Sequence, residues 1–547
     1  MIKLTAIELE NFQTIGSRTV IPIRDLTLMF GPNGAGKSAI YDSLDLLKII
    51  FSNDWGKDSS YLIELLERWS NNSANPKTLG VGIQFELDPE WKIDHLAGYS
   101  SLSIFNRISC ASLNEDYLED FRGQTFKIFG KFRRAYPYQK DWVFDEFQIT
   151  NTAGKILQLE QQADDFFENK VRIFEKDWLD TIRHDDPYKK NIKFNSNGES
   201  YYELKFASLI SEIKADKWFG DVSSQQIEDY LDNKDTVIAL SESINETIEF
   251  FKLFANQSMN WDEENSGGLI FGSRTVPTPQ ELIFAVSGLS SQNKKPAIIN
   301  NEEILRNVKG LINPNFSQWE VIAKSFSEDL CKEQLKTEDE YWQLTEHQKI
   351  NSLLSEDLFL DNGYQISGDV RCLVNAEDLL NYETLDAINY SKIVSLNLIG
   401  PNGKKVEIND VGSGIGYVLP VLSSLAGKGI SLIQQPELHL HPALQSALGS
   451  VIVKCVENKI HYNAFTLIET HSEHLLLRIM RLLKTSNSRT EEVIKPITFE
   501  NVCILYFQPK GNGTTAIKRL RLGPDGQLID RWPDGFFEER YKDIFDE

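Results

Sequence analysis

Cysteine is scarce in this sequence: five in 547 residues (Cys110, Cys331, Cys372, Cys455 and Cys503), widely separated and without a CxxC pair. That excludes a disulfide framework and a cysteine-built zinc site, and it suits a reducing compartment, so a cytoplasmic location is expected. No apolar run reaches the ~18–20 residues that a membrane helix needs. The opening Met1-Ile2-Lys3-Leu4 has no signal-peptide profile, and no membrane partner is expected. Positive charge is in deficit, with 57 Lys and Arg against 80 Asp and Glu, a net charge of −23. A field of that sign repels phosphate, so nucleic-acid contact has to come from a local patch or from a partner. Apolar residues are not in deficit. At 41% hydrophobic and 11% aromatic, the chain can fill the cores of roughly three or four domains or subdomains.

The first 30 residues alternate as strands do and end in a buried run, Leu26-Thr-Leu-Met-Phe30. From Ser38 the spacing turns helical, with Ile40, Leu44, Leu47 and Ile50 on one face. Strand-like pieces follow at Val81–Leu87, Ser101–Ile108, Phe126–Phe132 and Val143–Ile149, which predicts an antiparallel layer. Polar, helical patterns dominate the middle, as at Gln225–Leu231, Ile238–Phe254, Glu302–Leu311 and Leu335–Leu354, without a sustained heptad. Strands and helices then alternate from Lys392. The expected organisation is an α/β core whose halves lie at 1–160 and 386–547, with a mainly helical insertion at 161–385.

Gly31-Pro-Asn33-Gly34-Ala35-Gly36-Lys37-Ser38 fits GxxxxGK[ST], between a buried strand and an amphipathic helix. Glycines let backbone N–H groups approach a phosphate, and the helix N-terminus adds about half a positive charge. Lys37 would reach the β- and γ-phosphates of ATP, and Ser38 would ligate Mg2+. Gly400-Pro-Asn-Gly-Lys404 looks similar but lacks the spacing and reads as a hairpin turn.

Further on, Asp410-Val-Gly-Ser413-Gly414 opens an apolar helix, Ile430–Ile433 runs into Gln434-Gln435-Pro-Glu437-Leu-His-Leu-His-Pro442, and Phe465–Ile468 runs into Glu469-Thr-His471-Ser-Glu-His474. With Asn11-Phe12 ahead of the phosphate loop, this set resembles the ABC-type ATPases of the SMC and OLD kinds. Arg531-Trp-Pro-Asp-Gly-Phe-Phe537 and Phe271-Gly-Ser-Arg-Thr-Val-Pro277 narrow the likeness to the PtuA-type ATPases of Septu and retron-linked antiphage defence. No TOPRIM constellation follows the switch segment.

The resemblance implies an ABC-type ATPase head and a head-to-tail homodimer. A bound triphosphate carries about four negative charges, more than one loop neutralises, so Ser413 and Gly414 of a second subunit would cap it. It implies that His471 contacts the γ-phosphate. It further implies an acid that orients Mg2+ where Gln434 stands, and one that activates water where Gln435 stands. An amide positions water but is no general base near neutral pH, and it is a weaker Mg2+ ligand than a carboxylate. Glu437 is the nearby carboxylate able to substitute in part. ATP is therefore expected to act as an assembly ligand with slow or absent hydrolysis. Gln13 stands where the family often has arginine, and the Mg2+-sensing glutamine has no unique match, Gln84 and Gln148 being alternatives. His439 and His441 form an i, i+2 pair without a third ligand nearby in sequence, which argues against a metal site.

The partners implied are an HNH nuclease of the PtuB kind and, in retrons, a reverse transcriptase with its RNA–DNA product. Two basic patches, Lys131–Lys140 and Lys518–Arg521, are candidates for direct nucleic-acid contact. Two other function classes stay open. An SMC-like repair or clamp ATPase would hydrolyse ATP vigorously on DNA. A transporter's nucleotide subunit would carry an LSGGQ signature, absent here.

Overall fold

The computed structural model describes residues 2–51, 59–71, 77–90, 122–134, 142–152, 154–161, 169–173, 192–194, 200–206, 269–270, 283–287, 316–329, 344–359, 363–374, 390–406, 408–410, 413–462, 464–486, 496–533 and 537. The chain divides into two compact units, Met1–Arg24 with Gly31–Trp261 and Tyr506–Lys518, and Asp25–Phe30 with Asp262–Leu505 and Arg519–Glu547.

Among the described residues the first unit holds a nine-stranded antiparallel sheet. It is built from β1 (Ile2–Glu10), β2 (Thr19–Pro22), β4 (Thr78–Leu87), β5 (Thr125–Arg134), β6 (Trp142–Asn151), β7 (Gly154–Gln161), β8 (Asn169–Ile173), β9 (Ile192–Phe194) and β10 (Ser200–Phe206). Their order is β2-β1-β4-β5-β6-β7-β8-β10-β9. Ile83, Phe85, Phe126, Phe129, Phe132 and Phe147 are buried along it, and Phe85 stacks on Phe126 with ring centroids 5.7 Å apart. Two helices of this unit lie among the described residues, α1 (Ala39–Phe51) and α2 (Ser59–Trp69).

The antiparallel layer expected from alternation is present at three of its four pieces, in β4, β5 and β6. The fourth, Ser101–Ile108, lies outside the described residues. The layer also reaches further than expected. Strands β8, β9 and β10 stand where helix was anticipated, because Lys170-Val-Arg-Ile and Tyr202-Glu-Leu-Lys-Phe206 alternate with period two despite their polar composition. The helical stretches Gln225–Leu231, Ile238–Phe254 and Glu302–Leu311 lie outside the described residues.

In the second unit, β3 (Leu26–Phe30), β11 (Leu269–Ile270), β16 (Ser431–Gln434) and β17 (Thr466–Glu469) are parallel neighbours in the order β11-β16-β17-β3. The strand order runs on through β18 (Val502–Pro509) and β19 (Thr515–Leu520), of which Tyr506–Pro509 and Thr515–Lys518 belong to the first unit. β3 and β17 are buried at every position, as strands covered on both faces must be. A four-stranded antiparallel sheet contains β12 (Ile283–Ser287), β13 (Gln365–Val374), β14 (Tyr390–Ile399) and β15 (Lys405–Val406). The turn from β14 to β15 is the Gly400–Lys404 hairpin, closed by Gly400 N–H to Lys404 O at 2.9 Å.

Among the described residues the unit's helices are α3 (Phe316–Asp329), α4 (Glu346–Ser352), α5 (Ser413–Ala426), α6 (Pro442–Lys459) and α7 (Glu473–Ser486). α4 starts well inside the expected Leu335–Leu354 stretch. Thr345-Glu-His-Gln348 is a capping sequence, with Thr345 N–H donating to Gln348 Oε1 at 3.0 Å. The turn from α5 to β16 is fixed by Lys459, whose buried Nζ donates to Ser424 O (3.1 Å), Gly429 O (3.2 Å) and Ser431 Oγ (2.7 Å). Among the described residues no helix is long and apolar enough to cross a membrane.

Candidate nucleotide site

Strand β3 delivers the chain into the phosphate loop at Gly31. Gly31 has φ 142°, and a Cβ there would lie 2.5 Å from Phe507 O, so backbone conformation and space both require glycine. Gly36 has φ 83°, and a Cβ on it would collide with the Thr14 hydroxyl. The loop is held from below by Thr515 Oγ1, which donates to Ala35 O at 2.9 Å. Ala35 is buried while Pro32, Asn33 and Gly34 form an exposed rim. Lys37 is 3% exposed, and its Nζ reaches back across the loop to Gly31 O (2.9 Å) and Pro32 O (3.0 Å). Ser38 is exposed just ahead of α1, where its carbonyl accepts from Asp42 N–H.

Gln13, in the left-handed region at φ 49°, donates through Nε2 to Asp42 Oδ2 at 2.5 Å, which ties it to the helix that follows the loop. Burial pushes the Asp42 carboxyl up, offset by that hydrogen bond and by Arg68. Gln84 lies on β4 and Gln148 on β6, the latter's amide donating to Glu146.

In the second unit, β16, β17 and β3 end together. Gln434, Glu469 and Met29 are register partners, and Gln435 N–H donates to Glu469 O at 2.7 Å. Gln435 has φ 47°, a conformation a non-glycine residue adopts at some cost, and it turns the chain sharply after β16. That turn presents Glu437 to the end of β17. Its Oε2 accepts from Thr470 Oγ1 (2.8 Å) and its Oε1 from His471 N–H (2.7 Å). Thr470 N–H in turn donates to Met29 O at 3.1 Å. Ser472 Oγ continues the network to Gln445 Oε1 (2.6 Å), and Gln445 Nε2 to Leu440 O (2.9 Å). Both Glu437 oxygens thus accept hydrogen bonds from the segment that carries half-buried His471.

His441 caps α6, accepting from Ala443 N–H at Nδ1 (3.3 Å), and His439 lays its ring on Tyr417 of α5, centroids 4.5 Å apart. Among the described residues no cluster of three or more His, Cys, Asp or Glu could hold a metal ion. Ser413 opens α5, and Gly414 sits where a Cβ would come within 3.1 Å of His439 O. Packing beside β3, Trp532 and Phe537 set their rings edge-on to Phe30 at 5.3 and 5.8 Å. The Phe271–Pro277 element lies outside the described residues.

The loop amides, Lys37 and the start of α1 are chemistry suited to a polyphosphate. The Ser38 hydroxyl and the Gln434 amide are hard oxygen donors of the kind Mg2+ takes. Sequence reading passed over Glu469. Its signal was faint, a carboxylate closing an otherwise apolar strand, and only the sheet register reveals its neighbours.

The basic patches fare differently. Lys131 pairs with Glu10 (2.7 Å), Arg133 with Asp145 (3.2 Å) and Arg134 with Glu67 (3.0 Å), so carboxylates pair the basic residues of the described part of the first patch. Positions 135–140 lie outside the described residues. In the second patch Lys518 and Arg519 are exposed, whereas Arg521 pairs with Asp530 at 2.7 Å.

Comparison with known proteins gives two family matches, the AAA ATPase domain over residues 2–476 and a protein of unknown function (DUF3696) over residues 486–546. Structural maintenance of chromosomes protein 1 of Schizosaccharomyces pombe is 33% identical over 96 residues. That match spans 16% of this chain and 8% of the relative's length. Among solved structures, an Smc head bound to the C-winged helix domain of ScpA covers 95% of this chain and 98% of its own at 11% identity, TM-score 0.36. The SMC head domain from Thermotoga maritima covers 95% of this chain and 100% of its own at 9% identity, TM-score 0.33. With the phosphate loop built as its motif requires and the family match running from residue 2 to residue 476, this chain belongs to the AAA ATPase domain family.

Proposed function

We propose that this protein is the ATP-binding regulatory subunit of an antiphage defence complex. It dimerises head-to-tail around Mg·ATP, hydrolyses it slowly or not at all, and controls a separate HNH-type nuclease. In retron settings a reverse transcriptase with its RNA–DNA product joins the assembly. The observation that carries this reading is the end of β16, where two glutamines stand in place of the acids that orient Mg2+ and activate water. Without a base at Gln435, the water that would attack the γ-phosphate keeps its proton, and the triphosphate persists as glue between subunits. The Glu437 lock on Thr470 and His471 supports the same reading, because it presets the switch segment without any need for turnover.

Sedimentation with and without nucleotide tests it. Mg·ATP should double the mass of the purified chain and Mg·ADP should not, with turnover far below about 10 per second. A monomer at saturating ATP, or brisk hydrolysis, overturns it. Pull-down of the native complex should recover an HNH nuclease.

The short likeness to a structural-maintenance-of-chromosomes protein supports a second reading, an SMC-like DNA-repair or clamp ATPase. Strong stimulation of hydrolysis by DNA would favour that alternative.

A further inference from the structure

The phosphate loop is gripped by a hairpin from the far end of the chain. Residues 486–546 match a family of unknown function, whereas the loop lies inside the ATPase domain match. Tyr506–Lys518 nevertheless belongs to the first unit, together with the loop. Within it β18 turns into β19 through Lys510–Thr514. Lys510 N–H donates to Thr514 O at 2.6 Å, and Asn512 Oδ1 accepts from Thr514 N–H at 3.1 Å.

The hairpin meets the loop at three points. Phe507 O on β18 leaves Gly31 no room for a Cβ. Thr515 on β19 is 8% exposed and makes two hydrogen bonds, Oγ1 to Ala35 O at 2.9 Å and N–H to Thr14 O at 2.8 Å. Thr14 in turn sets its side chain against Gly36, which leaves no room for a Cβ there either.

Ala35 C=O and Gly36 N–H are the two ends of one peptide plane, and in a trans peptide they point in opposite directions. Drawing Ala35 O onto the Thr515 hydroxyl therefore turns Gly36 N–H away from the hairpin. That amide has no acceptor among the described residues. A donor left open in a glycine-rich turn fits a phosphate oxygen. One hydroxyl thus sets the direction of a donor that it does not touch.

We propose that Thr515 is a positioning residue for the triphosphate, through which residues 486–546 set nucleotide affinity. The hairpin holds the Ala35–Gly36 peptide in the orientation that a phosphate requires. The proposal rests on the nucleotide-binding function proposed above and adds to it a determinant outside the ATPase domain match.

Mg·ATP affinity and the ligand-free melting temperature of full-length wild type, Thr515→Val and Thr515→Ser test this. Valine keeps the shape of threonine and loses the hydroxyl. Thr515→Val should weaken Mg·ATP binding by about 3–10-fold, the net worth of one hydrogen bond. Thr515→Ser, which keeps the hydroxyl, should bind within about twofold of wild type. A bond that merely supports the fold is equal with and without ligand, so its loss lowers the melting temperature and leaves affinity unchanged. Wild-type affinity in Thr515→Val, or equal losses in the two variants, overturns this proposal alone. Failure of wild type to bind Mg·ATP overturns it together with the function it rests on.

If Thr515→Val does not fold, hydrogen exchange in wild type decides instead. The Thr515 amide exchanges when its bond to Thr14 O opens. By reciprocity Mg·ATP should slow exchange in the 506–518 segment by about threefold or more beyond any slowing in β5 and β6. Equal slowing in the hairpin and those strands overturns the proposal.

Discussion

Lys459 offers a prediction whose size follows from its surroundings. It ends α6, is 1% exposed, and spends its three N–H donors on Ser424 O, Gly429 O and Ser431 Oγ. Those partners flank the turn between α5, which opens with Ser413, and β16, which ends with Gln434. Burial pushes the amine from its ordinary 10.5 down to about 8, against the opposing pull of Cys455 and Glu346, while Lys349 pushes further down. Between pH 8 and 10.5 the unfolded chain holds a proton that the folded chain has released. Stability contributed at this position therefore rises with pH, by up to about 1.4 kcal/mol per pH unit. Lys459→Met keeps the bulk and removes the titration. From pH 7.5 to 9.5 the wild type should gain about 2 kcal/mol relative to Lys459→Met, read as the change in urea midpoint at constant slope. Parallel pH profiles for the two proteins would refute the reasoning, since they would mean the amine keeps an ordinary affinity for its proton.

Other perturbations reach the loop and the switch segment. Gly36→Ala forces φ 83° on an L-residue, about 1–2 kcal/mol, and drives a methyl into Thr14, so it should lower the melting temperature and abolish ATP retention. Gly34→Ala, at φ 75° with no atom within 4 Å of the new Cβ, should show only the backbone part, and equal losses for the two would contradict the Thr14 contact. Glu437→Ala strips the acceptor from Thr470 Oγ1 and His471 N–H and should destabilise the second unit by about 1–3 kcal/mol in urea, Glu437→Gln by less. A loss below about 0.5 kcal/mol for Glu437→Ala would show that the lock contributes little.

Local rules carried the phosphate loop and the antiparallel layer into view. The loop motif needs a buried strand before it and a helix after it, and Leu26–Phe30 and Ala39–Phe51 supply both within one stretch of chain. Alternation exposed β4 to β6 for the same reason, since a period of two is written into neighbouring residues. What stayed hidden was set by distant pairing. Gln434 and Glu469 are 35 positions apart, and nothing in either segment announces that β16 and β17 align them. Likewise, Glu437 looked like a spare carboxylate until the φ 47° turn at Gln435 delivered it to Thr470. β8 to β10 were obscured by composition, because charged residues at alternate positions gave the stretch a helix-like polarity. The histidines of Leu-His-Leu-His-Pro442 turned out to serve packing and capping.

Equilibrium binding of Mg·ATP to the full chain and to Lys37→Ala, by titration calorimetry, tests the central claim most directly. If the Gly31–Ser38 loop grips the triphosphate, the wild type binds with one site per chain and Lys37→Ala loses at least about a hundredfold in affinity, the equivalent of 2.7 kcal/mol or more for a charge-assisted grip on phosphate. Equal affinities for the two proteins would place the nucleotide elsewhere, or nowhere, and contradict the account.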